Sequence, residues 1–277
     1  MAGGHGAALH CPVTTRPIIT FTTDFGTTDT YVAEMKGVIL GITPDVTLVD
    51  ISHDVWPQNI GQGAFLLRRA FNHFPAGTVH IAVVDPGVGT DRRPIAVRAG
   101  SWLFVAPDNG VLAPSLLALD LLDSSGRLHG AEGVVLANPA YRRNQVSGTF
   151  HGRDIFAPAA AYLASGVPLT ELGPTIASVL TTALPEVVGV GVRVQGRVLH
   201  VDHFGNAITN LSLSDVPANP VFLVGRLRLH GISSSYQEAD FAVLVGSSGQ
   251  LEVAARNGSA ARELGLSVGD SIEVLPS

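Results

Sequence analysis

In the first half of the chain, short runs of apolar residues alternate with segments whose apolar residues recur at helical spacing. Apolar, β-branched runs over 17–23, 46–51 and 79–84 predict three strands, because turn residues bound each run. The apolar spacing between these runs predicts helices over 31–42 and 59–74. This strand–helix–strand rhythm predicts an α/β fold with a largely parallel central sheet.

The pattern changes near residue 180. Before that point, further runs predict strands over 95–98 and 103–106 and an alanine-rich helix over 154–165. Beyond it, turn residues separate short alternating runs, which is typical of a small β-barrel or sandwich. These runs lie at 190–194, 197–201, 222–224, 227–229, 242–245, 251–254 and 271–274.

These two patterns predict the domain organisation. We expect a frayed arm over 1–15, which is rich in Gly, Ala, His and Thr. An N-terminal α/β domain over 16–180 and a smaller C-terminal β-barrel-like domain over 188–277 are expected to follow.

Composition narrows the class of protein. Of the 277 residues, 46% are hydrophobic and 14% charged, so the chain has enough apolar surface to bury a large core. The net charge of −6 and the lack of a basic run argue against a nucleic-acid partner. The single cysteine, Cys11, suits a reducing cytoplasm. Neither a signal peptide nor an apolar run of about 18 residues is found, so no membrane partner is expected.

Common nucleotide and metal motifs do not match. Lys36 is the only lysine, and it does not lie in a phosphate-binding Gly-Lys-Ser/Thr loop. Gly87 and Gly89 are followed by Arg92 where a dinucleotide-binding loop would need its third glycine. No His-Glu-x-x-His occurs, and no metal site is expected.

Four polar clusters stand out, three of them where a predicted strand ends. They lie at 23–26, 85–93, 149–154 and 202–206. Each has an ordinary structural interpretation; Asp154, for example, fits the N-cap of the helix that follows it. Taken singly, the clusters support only a two-domain α/β enzyme with a site at the strand ends.

Taken together, the clusters are more specific. The strings TTDFGTTDTYVAEMKG, VVDPGVGTDRR, VAPDNG, TFHGRDIFAPAAA, VDHFGNAITN and ARNGSAA occur in this order along the chain. With them the sequence resembles the S-adenosyl-L-methionine (SAM) hydroxide adenosyltransferases, which are related to the fluorinase and chlorinase. The resemblance runs from about residue 17 to residue 274. It implies an α/β domain followed by a β-barrel-like domain, a homotrimer with the substrate at subunit interfaces, and no cofactor.

The resemblance implies a catalytic triad. Asp85, Arg92 and His151 would activate the attacking water. In the halogenating relatives the position of Asp85 carries Tyr, and that of His151 carries a residue such as Tyr or Gly. A carboxylate beside the nucleophile repels a halide but accepts a proton from water, so the sequence favours a hydrolase.

The resemblance also implies contacts to the nucleoside. Asp24 would bind the ribose hydroxyls, and Asn206 would read the adenine edge with backbone help around Ser247 and Asn257. Asp29 is placed with this substrate-binding set.

At the methionine end, Asp202 would meet the ammonium group, while Phe150 and Phe204 would pack near the nucleoside. Two positions depart from the fluorinase pattern. Gln58 stands where the fluorinase has a tryptophan, and Ser248 stands where it has an arginine for the methionine carboxylate.

The implied chemistry is simple. The sulfonium is a good leaving group, so the reaction needs a nucleophile in line with the C5′–S bond and a base for the water proton. Either Asp85 or His151 could take that proton. The alternatives are a SAM-dependent halide adenosyltransferase and a non-catalytic SAM or adenosine binding protein. A metal-dependent hydrolase is a third and weaker alternative.

Overall fold

The computed structural model describes residues 16–182, 185–190 and 192–277. The predicted arm over 1–15, including Cys11, lies outside the described residues. The described chain forms a mixed α/β structure with two sheets, one drawn from each half of the sequence. The predicted fold class is confirmed.

The first sheet is the α/β part of the molecule. Its strands are β1 Ile18–Thr23, β2 Thr47–Ser52, β3 Val79–Val83, β4 Pro94–Ala99, β5 Trp102–Pro107, β6 Ala131–Val135 and β7 Thr175–Ile176. Their order in space is β2-β1-β3-β5-β4-β6-β7. The pairs β1–β2, β1–β3 and β3–β5 are parallel, whereas β4, β6 and β7 add antiparallel pairs. The parallel part brings the carboxyl ends of β1 and β3 side by side.

Helices cover both faces of this sheet. They are α1 Tyr31–Ile42, α2 Ile60–Ala70, α3 Ala113–Ala118 and α4 Ala157–Ala164. Met35 of α1 and Ala160 of α4 join one core cluster, and Leu67 of α2 and Leu116 of α3 join another. β-strand side chains alternate between faces, which is why Ile81 packs in the first cluster and Ala82 in the second. None of the helices in the described ranges has the length and apolarity that a bilayer crossing requires.

The second sheet is antiparallel, barrel-like and nearly closed. Its strands are β8 Val188–Val190, β9 Arg193–Val201, β10 Ala207–Ser212, β11 Pro220–Val224, β12 Leu227–His230, β13 Phe241–Val245, β14 Gln250–Ala255 and β15 Ser271–Pro276. The order is β12-β11-β15-β9-β10-β14-β13, and β8 pairs with β9. Inward-facing residues such as Val198, Phe222 and Val274 form its core with the short helix α5 Ala260–Leu264.

In this half one predicted strand is wrong and one observed strand, β10, was missed. The run 190–194 was expected to be one strand, but it spans the turn between β8 and β9. β10 was not predicted, because the residues around it were assigned to a polar cluster. Its apolar residues Ala207, Ile208 and Leu211 are buried, so the segment serves the core as well as the surface.

An ion pair between Arg93 and the buried carboxylate of Asp108 ties the segment after β7 to the first sheet. Arg93 donates to the Asp108 carboxylate and to the backbone oxygen of Ser178, 3.0 Å away. The other Asp108 oxygen accepts the backbone N–H of Leu180 at 2.7 Å. Elsewhere, Phe65 of α2 stacks on His200 of β9 with 5.1 Å between ring centroids. The contact between Phe65 and His200 joins the two halves of the chain.

His80 gives the fold a pH-sensitive element. Its ring is fully buried beside Phe104 and shares a 2.7 Å hydrogen bond with Thr20. Burial lowers its pKa from 6.5 to about 4, so the folded protein keeps this ring neutral where the unfolded chain protonates it.

We therefore predict that His80 makes stability fall as the pH falls from 6.5 to about 4 and contributes no further change below that. The His80 component of this loss amounts to about 3 kcal/mol of unfolding free energy. Urea unfolding at several pH values should show it, and the His80→Gln variant should lose that part of the slope. An unchanged slope in the variant would contradict the prediction.

Candidate active site

The first cleft opens at the carboxyl ends of the parallel strands β1 and β3. Asp24 directly follows β1, and Asp85 follows β3 by two residues. This is where ligands collect in open α/β sheets, because the loops there are free to carry polar groups. The cleft has a volume of about 630 Å³. Its lining comprises Asp24, Phe25, Tyr31, Pro57, Gln58, Val83, Asp85, Pro86, Val88, Thr149, Phe150, His151 and Gly152.

A single arginine joins the predicted catalytic groups in this cleft. Arg92 Nε donates to both Asp85 oxygens, at 3.0 and 2.9 Å, and Nη2 donates to Oδ2 as well. The same Nη2 lies 2.7 Å from His151 Nδ1. The Arg92 and Asp85 side chains are only 9% and 5% exposed. The structure therefore brings Asp85, Arg92 and His151 together, although they are up to 66 positions apart in the chain.

Gly89 allows this meeting of two distant loops. It has a φ of +78°, and a Cβ at this position would lie 2.3 Å from the backbone oxygen of Gly148. Any side chain would therefore push the 85–92 loop away from the segment that carries His151.

The contact with Arg92 fixes the tautomer of His151. A guanidinium N–H can only donate, so Nδ1 must accept and the ring proton of the neutral imidazole sits on Nε2. Burial, and after it the positive charge of Arg92, lower the pKa of His151. Both effects keep the ring neutral at neutral pH.

Aromatic side chains form a wall of the cleft beside these groups. The Phe150 ring packs edge-on against Phe25 and Tyr31, with centroid distances of 5.8 and 5.1 Å. The guanidinium of Arg153 lies 5.1 Å from the centroid of the same ring. Phe150 is thus held in one position from several sides. An aromatic face fixed in this way suits contact with a nucleoside.

The chain after His151 forms a turn of π-helix over Gly152–Phe156. Asp154 lies inside this turn with a fully buried side chain, so the interpretation of Asp154 as an N-cap is wrong. Its carboxylate accepts the backbone N–H of Ser147 at 2.8 Å and pairs with Arg153 and Arg143. Wide turns of this kind are rare, and here ion pairs to a buried carboxylate hold the turn that presents His151.

Asp24 is held by a hydrogen bond from a residue with an unusual backbone conformation. Gln58 has a φ of +67°, unusual for a residue with a side chain, and its backbone N–H donates to Asp24 Oδ2 at 2.8 Å. Asp24 therefore faces the cleft with one oxygen already engaged. Asp29 is exposed in the loop before α1 and is not among the residues that line the cleft.

The remaining predicted residues line a second cleft, of about 1010 Å³, on the second sheet. This group comprises Asp202, Phe204, Asn206, Ser247 and Asn257. The two clefts share no lining residue. Within one chain the structure therefore places the predicted substrate-binding residues in two groups.

Asp202 and Asn206 are already hydrogen-bonded to each other. Asp202 Oδ1 accepts the backbone N–H groups of Phe204 and Asn206, and its Oδ2 accepts Asn206 Nδ2 at 3.0 Å. Phe204 projects from this turn with 76% of its surface exposed. Ser248 is exposed and bonds to Gln250, and it does not line the cleft.

Tyr236, Glu252 and Arg69 are among the lining residues of the second cleft that were not predicted. The Tyr236 hydroxyl donates to the buried carboxylate of Glu252, and this bond raises the pKa of Tyr236 to about 12. Arg69 reaches the cleft from the last turn of α2. No motif marks these positions, since they come from separate segments that only the fold brings together.

In the described part of the chain, no group of three or more His, Cys, Asp or Glu residues is arranged to hold a metal ion.

Gly152 lies in a tightly packed part of the cleft wall, where a larger residue should lower stability. An added Cβ would lie 3.1 Å from Met35 Sδ and 3.1 to 3.2 Å from the rings of Phe150 and Phe25. We predict that Gly152→Ala lowers the free energy of unfolding by about 1–2 kcal/mol, because the wall is overpacked on three sides. It should also weaken adenosine binding. Both effects can be measured, by urea unfolding and by calorimetry.

Gly37→Ala on α1 is the matched control. Its added Cβ would meet nothing within 4 Å, so the helix should gain up to about 1 kcal/mol from the better helix former. The prediction is wrong if Gly152→Ala stabilises the protein as Gly37→Ala does.

Comparison with known proteins matches both halves of the chain. A sequence model of the SAM hydroxide adenosyltransferase N-terminal domain matches residues 19–173, and one of the C-terminal domain of the same family matches 196–273. A protein of Salinispora tropica named (R)-S-adenosyl-L-methionine hydrolase is 40% identical, with 93% of this chain and 97% of that protein covered.

Further relatives match by sequence or by structure. A fluorinase of an Actinoplanes species is 30% identical over 79% of each chain. The crystal structure of an uncharacterized conserved protein from Thermotoga maritima superposes with a TM-score of 0.83 at 34% identity, covering 93% of this chain and 99% of that one. The chain belongs to the SAM hydroxide adenosyltransferase family.

Proposed function

We propose that this enzyme hydrolyses SAM to adenosine and L-methionine, with water as the nucleophile at C5′. The observation that carries the proposal is the Asp85–Arg92–His151 cluster, which opens into the same cleft as Asp24. The Salinispora relative is named for the (R) epimer of the sulfonium, so the (R) epimer is the substrate form that we propose.

The step balances without an added reagent. The oxygen of the bound water forms a bond to C5′ while the C5′–S bond breaks, and its electron pair passes to sulfur. The sulfonium becomes the neutral thioether of methionine, and the water gives up one proton. Charge is neutralised during attack, so a cleft that excludes water favours the transition state. No metal or organic cofactor is part of the proposal.

Asp85 is the proposed acceptor of that proton. His151 Nδ1 is occupied by Arg92, and its Nε2 already carries a hydrogen, so the neutral ring is set to orient the water rather than to take its proton. The Asp85 carboxylate keeps lone pairs beyond those used by Arg92. Arg92 holds the carboxylate in place by a two-pronged contact that a lysine could not reproduce.

The same geometry disfavours a halide as nucleophile. An anion entering beside Asp85 would meet a carboxylate, and Arg92, the nearest cation, already pairs with that carboxylate. Fluorinases are relatives of this chain, but at lower identity than the hydrolases.

The substrate roles divide between the two clefts. Asp24 in the first is proposed to bind the ribose hydroxyls, with Phe150 against the nucleoside. In the second, Asn206 is proposed to bind the adenine edge, with Phe204 over the nucleoside. Glu252 is a second candidate beside Asp202 for the methionine ammonium, since several internal hydrogen bonds already occupy the Asp202 oxygens.

A homotrimer with sites between subunits is part of the proposal. Residues for one substrate molecule line two clefts without common residues, so a complete site forms if the first cleft of one subunit faces the second cleft of its neighbour. Exposed aromatic residues at both clefts support this, since Tyr31 is 45% and Phe204 76% exposed. We also propose a cytoplasmic location for the protein, because a single cysteine suits a reducing compartment.

We predict that the purified protein, incubated with SAM in water labelled with heavy oxygen, forms adenosine carrying the label on its 5′ oxygen. Asp85→Asn should lower kcat by about 10²- to 10⁴-fold, because the general base is lost. The variant should bind adenosine as the wild type does. Mass spectrometry and calorimetry measure these outcomes, and the two sulfonium epimers should be assayed separately.

Adenosine without the label, or 5′-halo-5′-deoxyadenosine in the presence of chloride or fluoride, would overturn the hydrolase proposal. Binding without any product would favour a sensor. A fully active Asp85→Asn variant would remove that residue from the mechanism.

The assembly generates a second prediction. Asp85→Asn and Asn206→Ala are each expected to be nearly inactive at low substrate concentration, but they affect different clefts. In trimers formed by co-expressing both, about a quarter of the sites should combine two intact clefts and recover activity. Co-expressed Asp85→Asn and His151→Gln, which affect the same cleft, are the matched control and should recover none.

Native mass spectrometry identifies the mixed oligomers in both samples. Mixed trimers without recovered activity would show that each site is built within one chain.

A further inference from the structure

The amino-acid end of the substrate carries a carboxylate, and the structure contains a cation placed to receive it. Arg69 lies in the last turn of α2, belongs to the first half of the chain, and lines the second cleft. Its Nη2 donates to Ser247 Oγ at 3.3 Å, across 178 positions of sequence.

The guanidinium of Arg69 has no acidic partner within the described ranges. Every ion pair recorded among residues 16–182, 185–190 and 192–277 involves other basic side chains. The Phe65 ring, whose centroid lies 5.5 Å away, supports the flat group from one side. An arginine held by a ring and a hydroxyl keeps several N–H donors for a ligand.

The groups next to Arg69 complete a site for a zwitterion. Gly246, which precedes Ser247, lies against the Glu252 carboxylate. Glu252 is buried and accepts the Tyr236 hydroxyl. One wall of the cleft therefore offers a cation and a hydroxyl beside a buried carboxylate. This pattern complements an α-amino acid, whose own carboxylate and ammonium are separated by one carbon.

We infer that Arg69, together with Ser247, binds the carboxylate of the methionine moiety. This inference rests on the proposed function and deepens it. It supplies the positive charge that Ser248 lacks, and it moves Ser247 from the adenine edge to the amino-acid end of the substrate. It also makes α2, a helix of the first sheet, part of the cleft on the second sheet.

The electrostatics of the neighbourhood agree with this assignment. Burial and then the charge of Arg69 lower the pKa of His200, which keeps that ring neutral. Stacked on Phe65, His200 adds no second charge to the wall.

The test compares SAM with its decarboxylated analogue, which keeps the adenosine, the sulfonium and the amine. Arg69→Gln should lower kcat/KM for SAM by about 10- to 100-fold, because a charge-assisted hydrogen bond is lost. The loss should appear mainly in KM. For the analogue the same variant should stay within about twofold of the wild type, since no carboxylate is present. For SAM, the kcat/KM of Arg69→Lys should lie between those of Arg69→Gln and the wild type, because a lysine keeps the charge but loses the planar fork.

Arg68→Gln is the matched control. It removes the same charge one position earlier on α2, from an exposed side chain outside the cleft, and should leave both substrates unaffected. Thermal unfolding of each variant tests for loss of the fold, and Arg69→Lys keeps the test available if Arg69→Gln is unstable. Equal losses on both substrates, or no loss on SAM, would overturn the inference.

A binding measurement separates this inference from the proposed reaction. S-adenosylhomocysteine carries the same carboxylate but no sulfonium, so it cannot be split in the same way. Arg69→Gln should weaken its binding in calorimetry by the same factor as for SAM and leave adenosine binding unchanged. If the wild type binds this ligand through Arg69 but hydrolyses no SAM, the hydrolase proposal fails and the carboxylate site stands. If the variant binds it as tightly as the wild type, the carboxylate site fails whatever the reaction.

Discussion

The site depends on the contact of one guanidinium with a carboxylate and an imidazole. Arg92 fixes the position of Asp85 through two donor atoms and fixes the tautomer of His151 through one of them. The Arg92 and Asp85 side chains are largely withdrawn from water, where an unpaired charge would be costly. The surrounding fold therefore has to bring all three together, and the loop at Gly89 and the π-turn after His151 are the local structures that do so.

The sequence predicted several strands and helices of the first sheet and the location of the site at its strand ends. Strands β1 and β3 were predicted from apolar runs, and a site was expected at the strand ends, because ligands collect there in open α/β sheets. The parallel pairing of β1 with β3 places both ends at one edge. The helices over 31–42 and 59–74 were also predicted, the first with its observed bounds and the second ending in a short 3₁₀ turn after Ala70. Local pattern was enough here, because the two strands are continuous buried runs, the helices carry an apolar stripe, and turn residues bound each element.

The missing parts have a different physical origin. β10 was overlooked because its sequence serves a cleft and a core at once. Asp154 has the residue type of a helix cap, but a buried charge network draws it inside the turn, and no local rule contains that network. Arg69, Tyr236 and Glu252 lie in the second cleft only because two distant segments pack against each other. Long-range contacts of this kind leave no periodic trace in one sequence.

The strained backbone at Gln58 has a consequence for how the pocket can diversify. The group that anchors Asp24 is an amide N–H, which every residue except proline possesses. The side chain at this position lines the cleft without being needed for the anchor. Selection can therefore change the size and polarity of the ribose end at position 58 while the anchor is retained. One fold can in this way accommodate altered nucleosides while the position of Asp24 stays the same.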